Sequence, residues 1–394
     1  MNFFSVAELA RGVTTDKLLY DQYADAIRSC YGSMSLRFWC LAPLFLGVVV
    51  LHLPQSAGFQ NPSVQPAVTP GTESADPATQ PVPAPSPNLH SAVSPASPSA
   101  SPIRDRETIV RLKIFLDQHS FGPGEIDDRW TDLCANALRL YQITDGSGAS
   151  GIDSELKQEL SNLTPLYVSY RIKPDDSAWV GKSPRTPVAQ AKRKFMPYPS
   201  VADFVAERFH TNVSFLAKLN GGKNLSKLRP GDTVQVPNVS PFELSGLKEA
   251  DDVPPRPALK NRRVEIDTKT KALTITDEGK ILAAFPITPG SKQLPAPVGT
   301  WQIVKIATLP WFRWDKAMLM HGERSGDFHN IPPGPRNEVG LIWIGLNKKG
   351  IGIHGTNNPD SIGRSASHGC IRLANWDAVR VLNAVTQGVT AEIK

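Results

Sequence analysis

Cysteine is scarce in this chain, with four residues, at positions 30, 40, 134 and 370, among 394. Four unevenly spaced cysteines do not make the framework of a disulfide-stabilised fold. Cys30 and Cys40 lie in or before an N-terminal targeting segment, which leaves Cys134 and Cys370 for the mature protein. A disulfide between these two is open on count alone. It would consume the free thiol considered below, so we expect none.

Long basic runs are also lacking. The formal net charge is +6 over the whole chain, and no run of lysine and arginine resembles a nucleic-acid-binding stripe. Nucleic acid is therefore not an expected partner, whereas a mild basic excess suits an anionic polymer such as a cell wall. With 40% hydrophobic and 20% charged residues, the composition is that of folded soluble domains. The length predicts two or three of them.

One apolar stretch without charge runs from Phe38 to Leu51. It is shorter than the roughly 20 residues that cross a membrane, but it suits the hydrophobic region of a signal peptide. Arg37 supplies a positive charge before it, and Ser56-Ala57 supplies small residues for cleavage after it. We therefore predict an export signal over residues 34–57.

The flanks of this signal leave two questions open. Residues 38–53 also suit a signal anchor that stays in the membrane of the cell envelope. Met34 stands just before the apolar stretch, so residues 1–33 are interpreted as an uncertain extension or a start-site artefact. Residues 58–102 are rich in proline, serine and alanine, and they cannot bury enough apolar surface to offset chain entropy. We predict an extended tether there.

Residues 103–163 show helical periodicity on two faces separated by the break Phe121-Gly122-Pro123-Gly124. This segment resembles the peptidoglycan-binding helical domain family. The resemblance is carried by a first helix with Leu112, Phe115 and Leu116, by GPGEIDDRW, and by a helix that ends ALRLYQ. The family usually has glycine where Asp128 and Thr131 stand. A small structural helical domain is the alternative, and Cys134 is expected to be buried there.

Residues 164–240 combine a short strand at Tyr167-Val168, a helical pattern over AERFHTNVSFLAKLN, and a final strand with Val234 and Val236. The segment resembles a LysM module through that helical stretch, through LRPGD and through Val236-Pro237. A long insert containing KSPRTPVAQAKRKFMPYP departs from the family pattern. The resemblance implies a glycan ligand that contains N-acetylglucosamine, and a packing module is the alternative.

After a linker predicted over residues 241–262, the chain from 263 to 394 becomes rich in short β-branched runs. We predict a mostly β domain, either a sandwich or a partly closed barrel. A late helix is predicted from Trp376 to about Ala384, with Asn375 as its N-cap. The fold class is thus multidomain, with small helical and α+β modules before a β domain. The predicted strands are VEID, ALTIT, ILAAFPI, TWQIVKI, LIWIGL, IGIH and VTAEI.

The chemistry lies in IHGTNNPDSIGRSASHGCIRL. Cys370 follows a glycine, which lets a substrate carbonyl approach the backbone closely. A free thiol titrates near 8.5 and needs a base to become a nucleophile at neutral pH. His354 and His368 are both within reach along the sequence. Spacing alone does not decide between them, but a loop that returns from residue 355 to 367 would bring His354 against Cys370, and we favour His354.

Residues 263–394 resemble the L,D-transpeptidase catalytic domain of the YkuD type. PVGTW and the strand LIWIGL after Gly340 carry part of the resemblance, and the cysteine motif carries the rest. The resemblance implies that Cys370 attacks a tetrapeptide stem of peptidoglycan, that D-alanine leaves, and that an amine resolves the thioester into a 3→3 cross-link. His354 would be the base, oriented by the carbonyl of Gly355. The motif positions are His354, Gly355, Ser367, Gly369, Cys370 and Arg372.

The same resemblance gives expectations for the surrounding loop. Backbone N–H groups of Gly369, Cys370 and His368 would hold the oxyanion, and Arg372 would structure the site or meet a substrate carboxylate. Ser367 is interpreted chiefly as a turn former that braces the loop. A metal site is not expected, because the spacing of His354, His368 and Cys370 lacks the paired ligands of zinc sites, and no cofactor is expected.

Further residues are candidates for substrate binding. Trp311 and Trp314 either line a groove or pack in the core, and Asn357 lies in the site motif. His321 lies in the loop HGERSGDFHN, which is interpreted as solvent-exposed, with a flap over the cleft as the alternative. The expected partners are stem peptides, glycan strands and, as covalent inhibitors, β-lactams of the carbapenem type.

Two rival functions stay open at this stage. If water replaced the stem amine, the enzyme would be an L,D-carboxypeptidase. If the amine of a wall-anchored protein replaced it, the enzyme would attach that protein to peptidoglycan. The same Cys370 and His354 would serve in both reactions. A wall-binding protein with an inactive enzyme domain is the alternative outside enzymes. The intact His354 and SHGC sequence argue against it.

Overall fold

The computed structural model describes residues 103–146, 151–244 and 246–394. The predicted export signal over 34–57, the extension before it and the tether over 58–102 lie outside the described residues. Within the described part, no helix is both long and apolar enough to cross a membrane.

The first described segment is helical, as predicted. Its helices are α1 (Arg106–Gln118), α2 (Asp132–Asp145) and α3 (Ser154–Asn162). Each begins after a residue whose side chain accepts a hydrogen bond from a backbone N–H of the first turn, namely Asp105, Thr131 and Asp153. Cys134 is fully buried between these helices. The small core of this segment also includes Ala272 and Ala284 from later in the chain.

The second segment contains β1 (Tyr167–Arg171) and β2 (Thr233–Pro237), which pair antiparallel. Helices α4 (Pro187–Gln190), α5 (Val201–Arg208) and α6 (Val213–Leu219) lie between the strands in sequence. Short 3-10 helices span Pro174–Trp179 and Leu225–Lys227. The predicted strands and helices are present, whereas glycan binding by this segment stays a prediction.

The third segment is dominated by one mixed eight-stranded sheet, and all seven predicted strands belong to it. The sheet strands are β3 (Arg263–Asp267), β4 (Ala272–Asp277), β5 (Lys280–Pro286), β6 (Gly299–Thr308), β9 (Ile342–Leu346), β10 (Gly352–His354), β11 (Ile371–Arg372) and β12 (Thr390–Ile393). Their order across the sheet is β11-β10-β9-β6-β12-β3-β4-β5.

Two helices accompany the sheet. Helix α7 (Lys316–His321) lies within a separate hairpin of β7 (Phe312–Asp315) and β8 (Phe328–Ile331), and helix α8 (Asn375–Ala384) follows β11.

The two edges of this sheet meet. Thr288, just beyond edge strand β5, exchanges two backbone hydrogen bonds of 3.0 Å with Arg372 of the opposite edge strand, β11. This bridge curls the sheet into a partly closed barrel, one of the two architectures predicted. It also fixes the strand that directly follows Cys370.

The start of α8 differs from the prediction. Its N-cap is Ala374, and Asn375 is the first helical residue. The Asn375 side chain is fully buried and bonds to the backbone of Leu341 and Thr356 instead of its own helix. The N-cap prediction was therefore wrong because a long-range partner uses the amide.

The stretch over 241–262 lies against the sheet. Leu244 is buried, Ala250 bridges Thr308 of β6, and the guanidinium of Arg256 donates to the carbonyls of Leu382 and Val385. A 3-10 helix spans Pro257–Leu259. The described residues of this stretch, 241–244 and 246–262, therefore form a packed strap on the third segment.

The two preceding segments also contact the catalytic segment directly. Gly122 donates to the carbonyl of Ala284 on β5 at 2.7 Å, and Ala284 donates to that of Ser120 at 3.0 Å. The insert of the second segment contributes Met196, which donates to the carbonyl of Pro333 and accepts from Arg336. Both preceding segments are thus packed on the third segment.

Candidate active site

Cys370 stands at the start of β11, against the beginning of β10. Its thiol donates to the carbonyl of Gly350 at 3.5 Å, and its sulfur receives the backbone N–H of Gly352. Strands β10 and β11 run parallel, with His354 beside Arg372. Because alternate residues of a strand share a face, Cys370, Arg372 and His354 project on one side of the sheet.

The orientation of His354 is fixed from both sides. Its Nδ1 lies 2.6 Å from the carbonyl oxygen of Gly355. A carbonyl only accepts, so Nδ1 carries the proton and Nε2 keeps the lone pair that a base requires. The indole of Trp343, directly across the strand pair, stacks on the imidazole with a centroid distance of 5.5 Å. The predicted contact with Gly355 is thus present.

Burial favours the uncharged forms of Cys370 and His354. His354 is 5% exposed, and its burial, together with the positive charge of Arg372, lowers its pKa to about 3. Burial raises the pKa of the Cys370 thiol, opposed by the Gly352 N–H and by Arg372. Both side chains are therefore neutral at neutral pH. The resting state of the pair is thus a neutral thiol and a neutral imidazole.

Ser367 braces the turn before the cysteine. Its hydroxyl donates to the carbonyl of Cys370 at 2.5 Å and accepts from the N–H of Gly369 at 3.2 Å. Its own backbone bonds to Pro289 and Ser291. This is the arrangement expected of a turn-forming serine. Gly369 has φ +107°, a conformation that favours glycine.

The remaining loop residues differ in placement. His368 is exposed, and its pKa is lowered by its partial burial and by Arg372. Arg372 is half-buried and donates to the carbonyl of Ala366 at 3.3 Å. Since the Gly369 N–H is already bonded within the turn, the amides of Cys370 and His368 are the candidate oxyanion donors in this conformation.

Three of the predicted substrate-binding residues lie on or beside the β7–β8 hairpin. Trp311 is 52% exposed and its indole donates to Glu249 of the strap at 2.8 Å. Trp314 stacks on His329 within the hairpin, and His321 ends α7. The stretch predicted as a solvent-exposed loop is partly strand, because Phe328–Ile331 form β8. Asn357 is half-buried in the loop after His354.

The hairpin reaches the cysteine indirectly. A Cβ built on Gly350 would lie 3.5 Å from the terminal methyl of Met318 on α7, which is van der Waals contact. Gly350 supplies the carbonyl that accepts from Cys370. Met318 of helix α7 therefore lies next to the residue whose carbonyl accepts from Cys370, and a flap over the cleft stays a prediction.

Sequence reasoning missed Trp343 and the true role of Asn375. The alternation in LIWIGL placed Trp343 on a strand, but only the register shows that it faces His354.

Among the described residues, no group of three His, Cys, Asp or Glu side chains is placed to hold a metal. A polar cleft of about 490 Å³ lies between all three segments, and neither Cys370 nor His354 lines it.

The third segment is similar in sequence to known proteins. The family model of the YkuD L,D-transpeptidase catalytic domain matches residues 261–393. The protein named L,D-transpeptidase YkuD of Bacillus licheniformis is 26% identical over 189 residues, which cover 48% of this chain and 90% of that protein. Its counterpart in Bacillus subtilis is 28% identical over 130 residues, covering 33% of this chain and 64% of the relative.

Solved L,D-transpeptidase structures are also similar. Mycobacterium tuberculosis L,D-transpeptidase 1 has a TM-score of 0.26 and 19% identity, over 34% of this chain and 61% of that one. L,D-transpeptidase 3 of the same organism, with a faropenem-derived adduct, has a TM-score of 0.29 and 16% identity, over 43% and 76%. Both TM-scores are low, so the assignment rests on the sequence matches. Residues 261–393 belong to the YkuD family of L,D-transpeptidase catalytic domains.

Proposed function

We propose that this protein is an exported cysteine acyltransferase that forms 3→3 cross-links in peptidoglycan. Membership of the L,D-transpeptidase family implies the peptidoglycan substrate. The observation that carries the proposal is the orientation of His354, whose Nδ1 is bonded to Gly355 while its other nitrogen is left to act as a base on the face shared with Cys370. A wall-binding protein with an inactive domain would not need that arrangement.

The first half-reaction acylates the enzyme. The thiol proton turns from the Gly350 carbonyl toward Nε2 of His354 as the sulfur attacks the carbonyl carbon of the diamino acid in a tetrapeptide stem. The oxyanion that forms is held by loop amides, each worth on the order of 10²–10³ in rate. When the C–N bond to D-alanine breaks, His354 returns the proton to the leaving amine. The product is a thioester on Cys370.

The second half-reaction releases the acyl group. The amine of a neighbouring stem attacks the thioester carbonyl, His354 accepts the amine proton, and Cys370 leaves and is reprotonated. An imidazole whose pKa is about 3 when buried becomes a strong acid once protonated, so it gives its proton to a leaving amine readily. The charge of Arg372 favours the transient thiolate.

The identity of the acyl acceptor decides which reaction the enzyme catalyses. Water would give an L,D-carboxypeptidase, and the amine of a wall-anchored protein or a free D-amino acid would give an attachment reaction, with the same Cys370 and His354. We assign the stem amine because both preceding segments resemble wall-binding modules. Their binding to glycan strands, the periplasm or cell envelope as the location, and anchoring through residues 38–53 are part of the proposal.

The test is product analysis by mass spectrometry after the purified protein has acted on a disaccharide-tetrapeptide. We expect a dimer that has lost one D-alanine. Monomeric tripeptide alone would replace the transpeptidase proposal with a carboxypeptidase. No change in the substrate would count against both and favour a binding protein.

A carbapenem should acylate the same thiol. The β-lactam carbonyl is an activated acyl donor, and solved relatives include an L,D-transpeptidase in complex with imipenem. We expect imipenem to add one adduct per chain, located at Cys370 by peptide mapping, and to stop D-alanine release. An adduct on Cys134, or none at all, would contradict the prediction.

A further inference from the structure

One buried amide joins three parts of the molecule beneath the catalytic histidine. Asn375 Oδ1 accepts the backbone N–H of Leu341 at 3.1 Å. Its Nδ2 donates to the carbonyl of Thr356 at 3.0 Å and to Oε1 of Glu207 at 2.6 Å. The side chain is fully buried, so these hydrogen bonds take the place of those that it would otherwise make to water.

The amide also lies in close contact with the backbone that orients His354. A Cβ on Gly355 would stand 2.2 Å from Asn375 Oδ1, and a Cβ on Gly340 would stand 2.1 Å from it. Only glycine fits at both positions. The Gly355 N–H donates to Ile342 at 3.2 Å, and its carbonyl holds Nδ1 of His354. The peptide that selects the histidine tautomer is therefore fixed between β9 and the Asn375 side chain.

The third partner, Glu207, comes from α5 in the LysM-like segment. It is 2% exposed and forms an ion pair with Arg336 at 2.5 Å. The loop around Arg336 is itself docked on Met196 of the insert. A Cβ on Gly334 would lie 2.3 Å from the Met196 carbonyl oxygen. The segment at 164–240 thus places the Glu207 carboxylate against Asn375 and Arg336, in a closely packed polar interface with the third segment.

We propose that Glu207 and Asn375 are positioning residues, through which the accessory segment holds His354 in its Nδ1–H orientation. The inference rests on the proposed function for the role of His354 as base, but the orientation itself is independent of turnover. On this account the segment at 164–240 is part of the catalytic apparatus, whatever glycan it binds. Loss of a supporting contact behind a catalytic group typically costs about 10–100-fold in activity.

The test compares Glu207→Ala with two matched variants on or near α5. Glu207→Gln keeps an oxygen that accepts from Asn375. Asp203→Ala removes a second carboxylate, which lies 3.8 Å from the same Arg336 but does not bond to Asn375. We expect kcat to fall about 10-fold in Glu207→Ala with KM unchanged, to recover in Glu207→Gln, and to stay near wild type in Asp203→Ala.

The tautomer of His354 can be measured directly from its ¹⁵N NMR spectrum. A residue with only a general structural role would leave that tautomer unchanged. We expect the Nδ1–H tautomer in the wild type and a mixture of tautomers in Glu207→Ala. The double variant Glu207→Met with Arg336→Met removes both buried charges together, which protects folding, and should show the same mixture.

Retention of the Nδ1–H tautomer and full kcat in folded Glu207→Ala and in the double variant would overturn the inference. Equal losses in Asp203→Ala would also overturn it, because they would show a general docking effect. If the wild type released no D-alanine, the proposed function would fail, while the tautomer comparison would still decide the positioning role.

Discussion

Cys370→Ala should abolish D-alanine release, with a loss of at least about 10³-fold. Every step of the proposed reaction passes through the thiol. The matched control is Cys134→Ala, because Cys134 is fully buried in the helical segment, where burial raises the pKa of its thiol to about 12. That variant should keep the wild-type rate within about twofold, since a buried, protonated thiol takes no part in nucleophilic chemistry.

The assay is the release of D-alanine from disaccharide-tetrapeptide, followed over time for both variants. Residual release above the uncatalysed rate in Cys370→Ala would mean that another residue is the nucleophile. A large loss in a folded Cys134→Ala protein would mean that the helical segment contributes to chemistry, which the site geometry does not predict.

Asp377→Asn should stabilise the folded protein at alkaline pH. The carboxylate of Asp377 is fully buried, and neither of its oxygens accepts a hydrogen bond from the described residues. Arg380 lies 3.7 Å away but donates to Asp117 instead, at 2.7 and 3.0 Å. Burial therefore raises the pKa of Asp377 to about 8, from an ordinary value of 3.8.

The sign follows from linkage. A carboxyl group whose pKa is raised on folding stays protonated in the folded state while the unfolded chain ionises, so stability is lost as pH rises from about 4 to 8. Asparagine cannot ionise and does not suffer this loss. At pH 8.5 the gain in the free energy of unfolding should be on the order of 2–4 kcal/mol, after allowance for relaxation around the site. At about pH 4 it should nearly vanish.

Urea unfolding of the wild type and the variant at both pH values measures this difference. Asp117→Asn is the control with the opposite sign. Asp117 is equally buried, but its bonds to His210 and Arg380 hold the pKa of its carboxyl below the ordinary value. Its neutralisation should therefore destabilise the fold at neutral pH. If Asp377→Asn lowered the free energy of unfolding at pH 8.5, the Asp377 carboxylate would have to have a stabilising partner when it is ionised.

Local patterns in the sequence predicted most of the third segment. Its strands are short β-branched runs bounded by turn residues, and burial of alternate positions reinforces those preferences. The Cys370 motif, the Gly355 contact and the bracing by Ser367 depend on neighbours within a few positions, and these too were accessible from the sequence. The barrel closure at Thr288 and Arg372 was not, because it depends on how far the whole sheet curls.

Contacts between distant segments account for the remaining differences. Asn375 has the composition of an N-cap, but its amide bonds to residues far away in sequence, Leu341 and Glu207. The prolines of the stretch over 241–262 indicate a linker, yet Ala250 bonds it to β6 of the sheet and Arg256 bonds it to the end of α8. The insert after β1 bonds to the third segment through Met196. None of these partners leaves a periodic signal in the chain.

The most direct measurement is intact-mass spectrometry of the protein mixed with a tetrapeptide stem whose acceptor amine is blocked. The account predicts a covalent species heavier by the stem minus D-alanine, carried by the peptide that contains Cys370 and reversed by hydroxylamine. An unmodified enzyme that still releases D-alanine, or an adduct on any other residue, would contradict thioester formation at Cys370.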